Sequence, residues 1–186
     1  YRDITERKLA EEALQRSEQR YLELSILDDL TQVYNSRHFH AQLEKEMERS
    51  NRYEQPLTLL LLDLDKFKTF NDTYGHVEGD NVLSRLGQVV KRCLRDPDSA
   101  YRYGGEEFTV ILPMTTKDEG IITAQRIRNE FGKEVFTPLP GTEILVTMSI
   151  GVSQYIPRED MKSFVHRVDQ LMYQAKKHGR NRIYAD

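Results

Sequence analysis

Hydrophobic positions along the chain follow two periods, one of buried strands and one of amphipathic helices. Leu57-Thr58-Leu59-Leu60-Leu61-Leu62 is a mostly apolar run of buried-strand length that closes on Asp63. Thr109-Val110-Ile111-Leu112 is a second such run, and Thr142 to Gln154 reads as a third strand, with 135–138 as a short partner. Between them the period becomes helical. Ser36 to Arg52 carries Phe39, Leu43 and Met47 on one face; Lys66 to Phe70 reads as a short helix. Gly75-His76-Val77-Glu78-Gly79 reads as a break, after which Asp80 leads a helix to about Leu94. Val82, Leu83, Leu86, Val89, Val90 and Cys93 form its apolar stripe, where Cys93 is a small core residue. Lys117 to Phe131 is amphipathic, Asp160 to His178 turns Phe164, Val168, Leu171, Met172 and Ala175 inward, and Arg182-Ile183-Tyr184 closes as a strand. Alternating strands and helices predict an α/β fold: a mixed central sheet with helices on its faces.

Residues 1–27 are different in kind: charged, and without Gly or Pro. Ala10, Leu14, Ser17, Tyr21 and Leu24 fall at heptad spacing, a thin seam for a parallel coiled coil, with a solvated single helix as the competing reading. We therefore divide the chain into an N-terminal helical linker, 1–27, and a domain, 28–186, in which Asp29 or Thr31 caps the first turn.

Composition narrows the class. With 38% hydrophobic and 31% charged residues the chain is a globular one with a polar surface. Its formal net charge of -3 gives no basic footprint for polymeric nucleic acid. Cys93 is the single cysteine, which excludes an internal disulfide and points to a reducing, cytoplasmic setting. There is no apolar run of membrane-spanning length. A first residue of Tyr1 rather than Met is expected of a piece of a longer protein.

The candidate chemistry lies in two acidic stretches. Around Gly104-Gly105, two β-prone segments predict a hairpin whose glycines allow positive φ and close approach of another molecule. Glu106 and Glu107 follow at once and, on a strand, point to opposite faces. Asp63 ends a buried strand, where an unpaired carboxylate is costly. On neighbouring strands, Asp63 and Glu106 would suit Mg²⁺, which takes one or two protein carboxylates together with substrate phosphates. The plainer alternatives are a Gly-Gly turn with charged shoulders and, for Asp63, a helix N-cap.

Gly104-Gly105-Glu106-Glu107-Phe108 resembles the GGDEF/GGEEF signature of the diguanylate cyclase family. Asp28-Asp29-Leu30-Thr31 resembles that family's opening DxLT. Asp63-Leu64-Asp65-Lys66-Phe67-Lys68, with Asn71-Asp72-Thr73-Tyr74-Gly75-His76 and Gly79-Asp80, resembles its central block. Ser149-Ile150-Gly151 and Ala175-Lys176-Lys177-His178-Gly179-Arg180-Asn181 match its C-terminal blocks, so the likeness covers about residues 28–186 in order. Upstream, Asp3-Ile4-Thr5-Glu6-Arg7-Lys8 resembles the close of PAS sensor domains, implying a sensor ahead of a signalling helix.

The resemblance implies a palm-like, nucleotide-cyclase fold that binds GTP and Mg²⁺, with Mn²⁺ able to substitute, and joins two GTP into cyclic di-GMP across a homodimer. It implies metal ligation by Asp63, Glu106 and the backbone carbonyl of Leu64, with Glu107 assisting metal or hydroxyl chemistry; the alternative for Glu107 is a salt-bridge partner behind the turn. The backbone from Leu64 through Phe67 and Lys68, the glycines Gly104 and Gly105, and the cations Lys176 and Arg180 would hold phosphates. Asn71 and Asp80 would read guanine, the carboxylate accepting from N1–H and N2–H. Their plainer alternatives are an Asx turn and a helix cap, as helix-dipole compensation is for the two cations. Arg95-Asp96-Pro97-Asp98 fits the RxxD pattern of the family's inhibitory product site, with Arg102 in support.

Gln32 stands where the family usually has Gly, Ser36 where it has an Arg, and Val168-Asp169 where Ala-Asp is common. A catalytically silent domain acting as a nucleotide or cyclic di-GMP receptor is the alternative function. The complete set of signature acids and glycines favours the enzyme.

Overall fold

The structure, a computed structural model, describes residues 2–186, with side chains for all of these except residues 2–3 and 22–24. Its helices are α1 (Arg2–Leu24), α2 (Ser36–Tyr53), α3 (Phe67–Tyr74), α4 (His76–Cys93), α5 (Lys117–Phe131) and α6 (Met161–Lys177). Its strands are β1 (Leu57–Leu64), β2 (Ser99–Arg102), β3 (Glu107–Pro113), β4 (Val135–Phe136), β5 (Ile144–Leu145), β6 (Met148–Gln154) and β7 (Ile183–Ala185).

Five strands form one sheet in the order β2-β3-β1-β6-β7, and β4 and β5 pair as a separate ribbon. The β1 strand lies at the centre, antiparallel to both β3 and β6, while β7 joins β6 in parallel. Burial on both faces explains its nearly continuous leucines. Leu60, Leu62 and Leu64 enter a core shared with α4 and α5, whereas Leu57, Leu59 and Leu61 enter a second core with α2 and α6. Phe39, Leu43 and Met47 of α2 and Phe164, Val168, Met172 and Ala175 of α6 are buried as their spacing predicts, with Leu171 only half-buried.

One close approach sets the position of α6. A side chain on Gly151 of β6 would meet the Val168 carbonyl oxygen at 2.2 Å and the Met172 nitrogen at 2.6 Å. Only glycine lets the helix lie this near the sheet, and that depth brings its last turn to the end of β1.

Several local expectations are corrected. The α3 helix runs on to Tyr74, and the break is the single residue Gly75 at φ 91°, so α4 already begins at His76. The 142–154 segment is two strands, β5 and β6, because β5 turns away to pair with β4. The first turn is capped by Asp28, not by Asp29 or Thr31: its Oδ1 accepts from the Thr31 backbone N–H at 2.9 Å and from the Thr31 hydroxyl at 2.6 Å. Gln32 adopts φ 58°, a left-handed conformation in which its amide donates to the Asp29 carbonyl at 2.8 Å.

Every described side chain of α1 from Ile4 to Tyr21 is exposed, including Ala10, Leu14, Ser17 and Tyr21 of the predicted seam. The side chain of Leu24 lies outside the described residues.

Candidate active site

The register of the sheet gathers the acids. Asp63 is the cross-strand partner of Glu107 on β3 and of Ser149 on β6. The Leu64 N–H donates to the Glu106 carbonyl at 3.4 Å, so Glu106 also stands at this end of β1. Asp63 therefore lies in a strand and is not a helix cap; the residue before α3 is Lys66, in the left-handed region at φ 55°.

The β2–β3 turn is tight. The Tyr103 and Gly104 N–H groups both donate to the Glu107 carbonyl, at 2.8 and 3.3 Å. Contrary to expectation, neither signature glycine has positive φ; among the described glycines that conformation belongs to Gly75, Gly141 and Gly179. Their contribution is space. A side chain on Gly105 would meet nothing within 4 Å, and one on Gly104 would press on Glu107 Oε2 at 3.1 Å. The surface beside the acids stays open to a ligand.

Asp63 is buried, with Lys176 Nζ of α6 at 2.7 Å from Oδ1 as its ion-pair partner. Burial pushes its carboxyl up to about 6, Lys176 opposes the shift, and Glu106 and Glu107 add to it. Glu107 is also raised, first by burial and then by Asp169, with Lys176 again opposing. The salt-bridge alternative for Glu107 finds no support, since its carboxylate takes part in no ion pair among those formed by the described residues.

Shortly after β1 comes the start of α3, which has no side-chain cap. Its first N–H groups thus lack the usual intramolecular partner. Lys68 is exposed, but Phe67 is a core residue, its ring stacked on Phe70 at 6.4 Å, so only its backbone is available to a ligand. Arg180 is not on the helix with Lys176: α6 ends at Lys177, and Arg180 sits in the following turn at φ 63°, its N–H donating to the Ala175 carbonyl at 3.0 Å. A cleft of about 480 Å³ opens between Lys66, Thr69, Thr147 and Arg180.

Asn71 and Asp80 both lie inside helices, so neither the Asx turn nor the helix cap survives. The Asn71 Oδ1 atom is buried and has no hydrogen-bond partner in the protein. A side chain at Gly79 would come within 1.8 Å of that atom, so glycine there is what lets Asn71 lie against α4, next to the exposed Asp80. A buried, unsatisfied amide oxygen costs about 1–3 kcal/mol.

The RxxD residues lie apart from the acids, on the turn between α4 and β2. Arg95 Nε pairs with Asp98 Oδ2 at 3.3 Å, and Arg95 Nη2 donates to the Thr115 hydroxyl at 2.9 Å. Arg102 is not with them. It donates to the Gly105 carbonyl at 2.9 Å and pairs with Asp28 at 3.3 Å, tying the domain's first turn to the signature loop.

Asp65 is the residue whose part the sequence did not reveal. Its carboxylate is buried and accepts from the Ser149 hydroxyl at 2.6 Å, the Thr147 hydroxyl at 2.6 Å and the Asn181 N–H at 2.9 Å. The available signal was its two-residue offset from Asp63 and the matching Thr147/Ser149 pair.

The diguanylate cyclase GGDEF domain model matches residues 25–182. Diguanylate cyclase A of Treponema denticola is 39% identical over 166 residues, which are 87% of this chain and 44% of that protein. The chain thus spans less than half the length of such curated relatives. Among solved structures, the GGDEF domain of DgcB from Caulobacter crescentus, in complex with c-di-GMP, superposes with a TM-score of 0.83 at 32% identity, covering 87% of this chain and 95% of that one. The diguanylate cyclase SiaD from Pseudomonas aeruginosa, in complex with its activator SiaC, gives 0.84 at 32% identity, covering 100% and 72%. With the family model matching residues 25–182 and solved GGDEF domains sharing its fold, the chain belongs to the diguanylate cyclase GGDEF domain family.

Proposed function

We propose that this domain, residues 28–186, condenses two GTP molecules into cyclic di-GMP and two pyrophosphates. The observation that carries the reading is the gathering of Asp63, Glu106 and Glu107 at one end of β1, with Lys176 at 2.7 Å from Asp63.

The donor set fits a divalent cation. Three carboxylates share one end of the sheet, and burial, opposed by Lys176 and reinforced by Glu106 and Glu107, raises the affinity of Asp63 for its proton. Among the described residues no three His, Cys, Asp or Glu side chains enclose a metal by themselves. A Mg²⁺ or Mn²⁺ ion here would therefore need oxygen ligands from the substrate phosphates as well. Asp63, Glu106 and the Leu64 carbonyl would hold it; when bound it neutralises phosphate charge and lowers the pKa of the attacking hydroxyl.

The chain's own residues do the rest. Asn71 and Asp80 bind the guanine edges. Lys176, Arg180 and the uncapped start of α3, with Lys68 nearby, hold the β- and γ-phosphates while Gly104 and Gly105 leave room for them. The 3′-oxygen bonds to the α-phosphorus of the other nucleotide, the α–β phosphoanhydride breaks, and pyrophosphate leaves. Glu107, whose affinity for protons burial has raised, takes the hydroxyl proton. Each domain holds one nucleotide, so the reaction needs a homodimer, delivered by α1 under an upstream sensor. Product returning to Arg95 and Asp98 would hold activity down.

Incubation of the protein with GTP and Mg²⁺ should yield cyclic di-GMP. Binding of GTP without product, at concentrations where the protein is dimeric, would instead favour the receptor role. Arg95→Ala should lose inhibition by added cyclic di-GMP and keep its initial rate; equal inhibition of both proteins would remove the product site.

A further inference from the structure

Three consecutive residues after α6 hold positive φ: Gly179 at 116°, Arg180 at 63° and Asn181 at 45°. For Arg180, which has a Cβ, this left-handed conformation is disfavoured. Such a turn persists only where surrounding contacts fix it. The Asn181 peptide is gripped on both sides. Its N–H donates to Asp65 Oδ2 at 2.9 Å, and its carbonyl accepts from Arg128 Nη1 of α5 at 3.2 Å. On the Asp65 side the grip is a buried carboxylate with both oxygens engaged: Ser149 on Oδ1, Thr147 and Asn181 on Oδ2. Asp65 is thus consumed within the protein and unavailable as a metal ligand, although it stands two residues after Asp63.

We infer that Asp65 is a positioning residue: through the Asn181 N–H it holds the turn that carries Arg180 at a fixed place relative to the acids at the end of β1. The inference rests on the proposed function, in which Arg180 meets the terminal phosphates. The geometry favours positioning over mere stabilisation because Asp65 joins three elements: the end of β1, the start of β6 and the Arg180 turn. The carboxylate that fixes Arg180 is on the same strand end as the acid that faces the substrate. Displacement of the turn should therefore be felt at the phosphate tail and not at the guanine end, which is held by α3 and α4.

The test uses two ligands: a GTP analogue with an uncleavable α–β bridge, and GMP, which lacks the β- and γ-phosphates. Calorimetry compares the wild-type protein with Asp65→Asn, Arg180→Ala, their double variant and Arg128→Ala. Asp65→Asn should bind the analogue about tenfold more weakly, the value of one charge-assisted hydrogen bond. GMP binding should stay within about twofold, and the double variant should be no worse than Arg180→Ala, since two changes acting through one group do not add. Arg128→Ala, at the surface, should show the same selectivity to a smaller degree, and it decides the matter if Asp65→Asn does not fold. Equal losses for both ligands, or losses that add to those of Arg180→Ala, would reduce Asp65 to a structural residue. If Arg180→Ala itself binds the analogue normally, the phosphate role of Arg180 falls, and this inference with it. If Arg180→Ala is weak while Asp65→Asn and Arg128→Ala are normal, the inference alone fails.

Discussion

Two acidic regions lie side by side at the end of β1, and they are built on opposite plans. In the open one, Asp63 faces two further acids and has one cation, Lys176, at 2.7 Å, and its carboxyl is held up at about 6. In the closed one, Asp65 has the donors it needs: the Thr147 and Ser149 hydroxyls at 2.6 Å each and the Asn181 N–H at 2.9 Å. Both carboxylates are buried, and only Leu64 stands between them in the chain. A buried carboxylate that the fold satisfies is a structural joint. One that the fold leaves short of positive charge is a site awaiting a cation, and its cost is carried by the rest of the core.

The largest expected effect breaks the open region. Glu106→Ala or Asp63→Asn should lower product formation by roughly a thousandfold or more, the scale of losing a group that acts on developing charge. Retained turnover in either variant would sink the site assignment. The same pair of regions should then separate in stability. The Asp63 carboxyl binds its proton more tightly in the folded chain than in the unfolded one, where the value is 3.8. Between about pH 4 and 6 the folded state therefore holds the extra proton, and stability falls as pH rises. Without metal at pH 7, Asp63→Asn should be more stable than wild type by on the order of 2–3 kcal/mol, an advantage that disappears below about pH 4. Asp65→Ala should go the other way, losing about 1–3 kcal/mol as its donors become unpaired. Urea unfolding across that pH range checks both signs; two variants that destabilise alike would erase the distinction.

The contrast also marks how far the sequence could be read. Local physics gave the helices and strands. Thr116 and Glu119 form a reciprocal cap, so the start of α5 at Lys117 follows from neighbours in the chain. The acids of the open region were likewise visible, since Asp63, Glu106 and Glu107 break apolar strands where nothing local would pay for them. The closed region was not visible, because the donors to Asp65 lie 82, 84 and 116 residues away. The same holds for Gly79 and the break at Gly75. The two glycines suggested a break of five residues, but Gly79 lies within α4, packed against Asn71 and Phe67. The seam of α1 was read from spacing alone, and spacing does not say what it meets.

A smaller effect is expected at the guanine end, where Asp80 is exposed while the Asn71 oxygen beside it is buried and unpaired. Asp80→Ala should weaken GTP binding by about 1–3 kcal/mol, and Asn71→Ala by a similar amount offset by the relief of its own buried oxygen. Both variants should keep their affinity for inorganic triphosphate. Unchanged calorimetric affinity for GTP in Asp80→Ala would make Asp80 a surface residue of α4 and no more.

The smallest effect on stability should come from the largest deletion. Residues 2–24 form a helix, α1, whose described side chains, Ile4 to Tyr21, are all exposed, with Leu14 at 59% and Tyr21 at 75%. A face so open adds little to the domain, and surface changes of this kind shift stability by no more than about 0.5 kcal/mol. Removal of 1–24 should leave the urea midpoint of the domain nearly unchanged. Activity should respond very differently, because a reaction between two nucleotides on two domains depends on how often the domains meet. The seam of Ala10, Leu14, Ser17 and Tyr21 is narrow, and Ser17 buries no apolar surface. A helix with no packed face draws little stability from tertiary contacts, so pairing is coupled to helix formation and weak. The intact chain should therefore show specific activity that rises with protein concentration, and the deletion should shift that rise to higher concentration without altering GTP affinity per domain. Sedimentation velocity beside the activity titration gives the check. Specific activity that does not vary with concentration while the protein sediments as a monomer would show that one domain completes the reaction alone, and the two-domain mechanism would have to be given up.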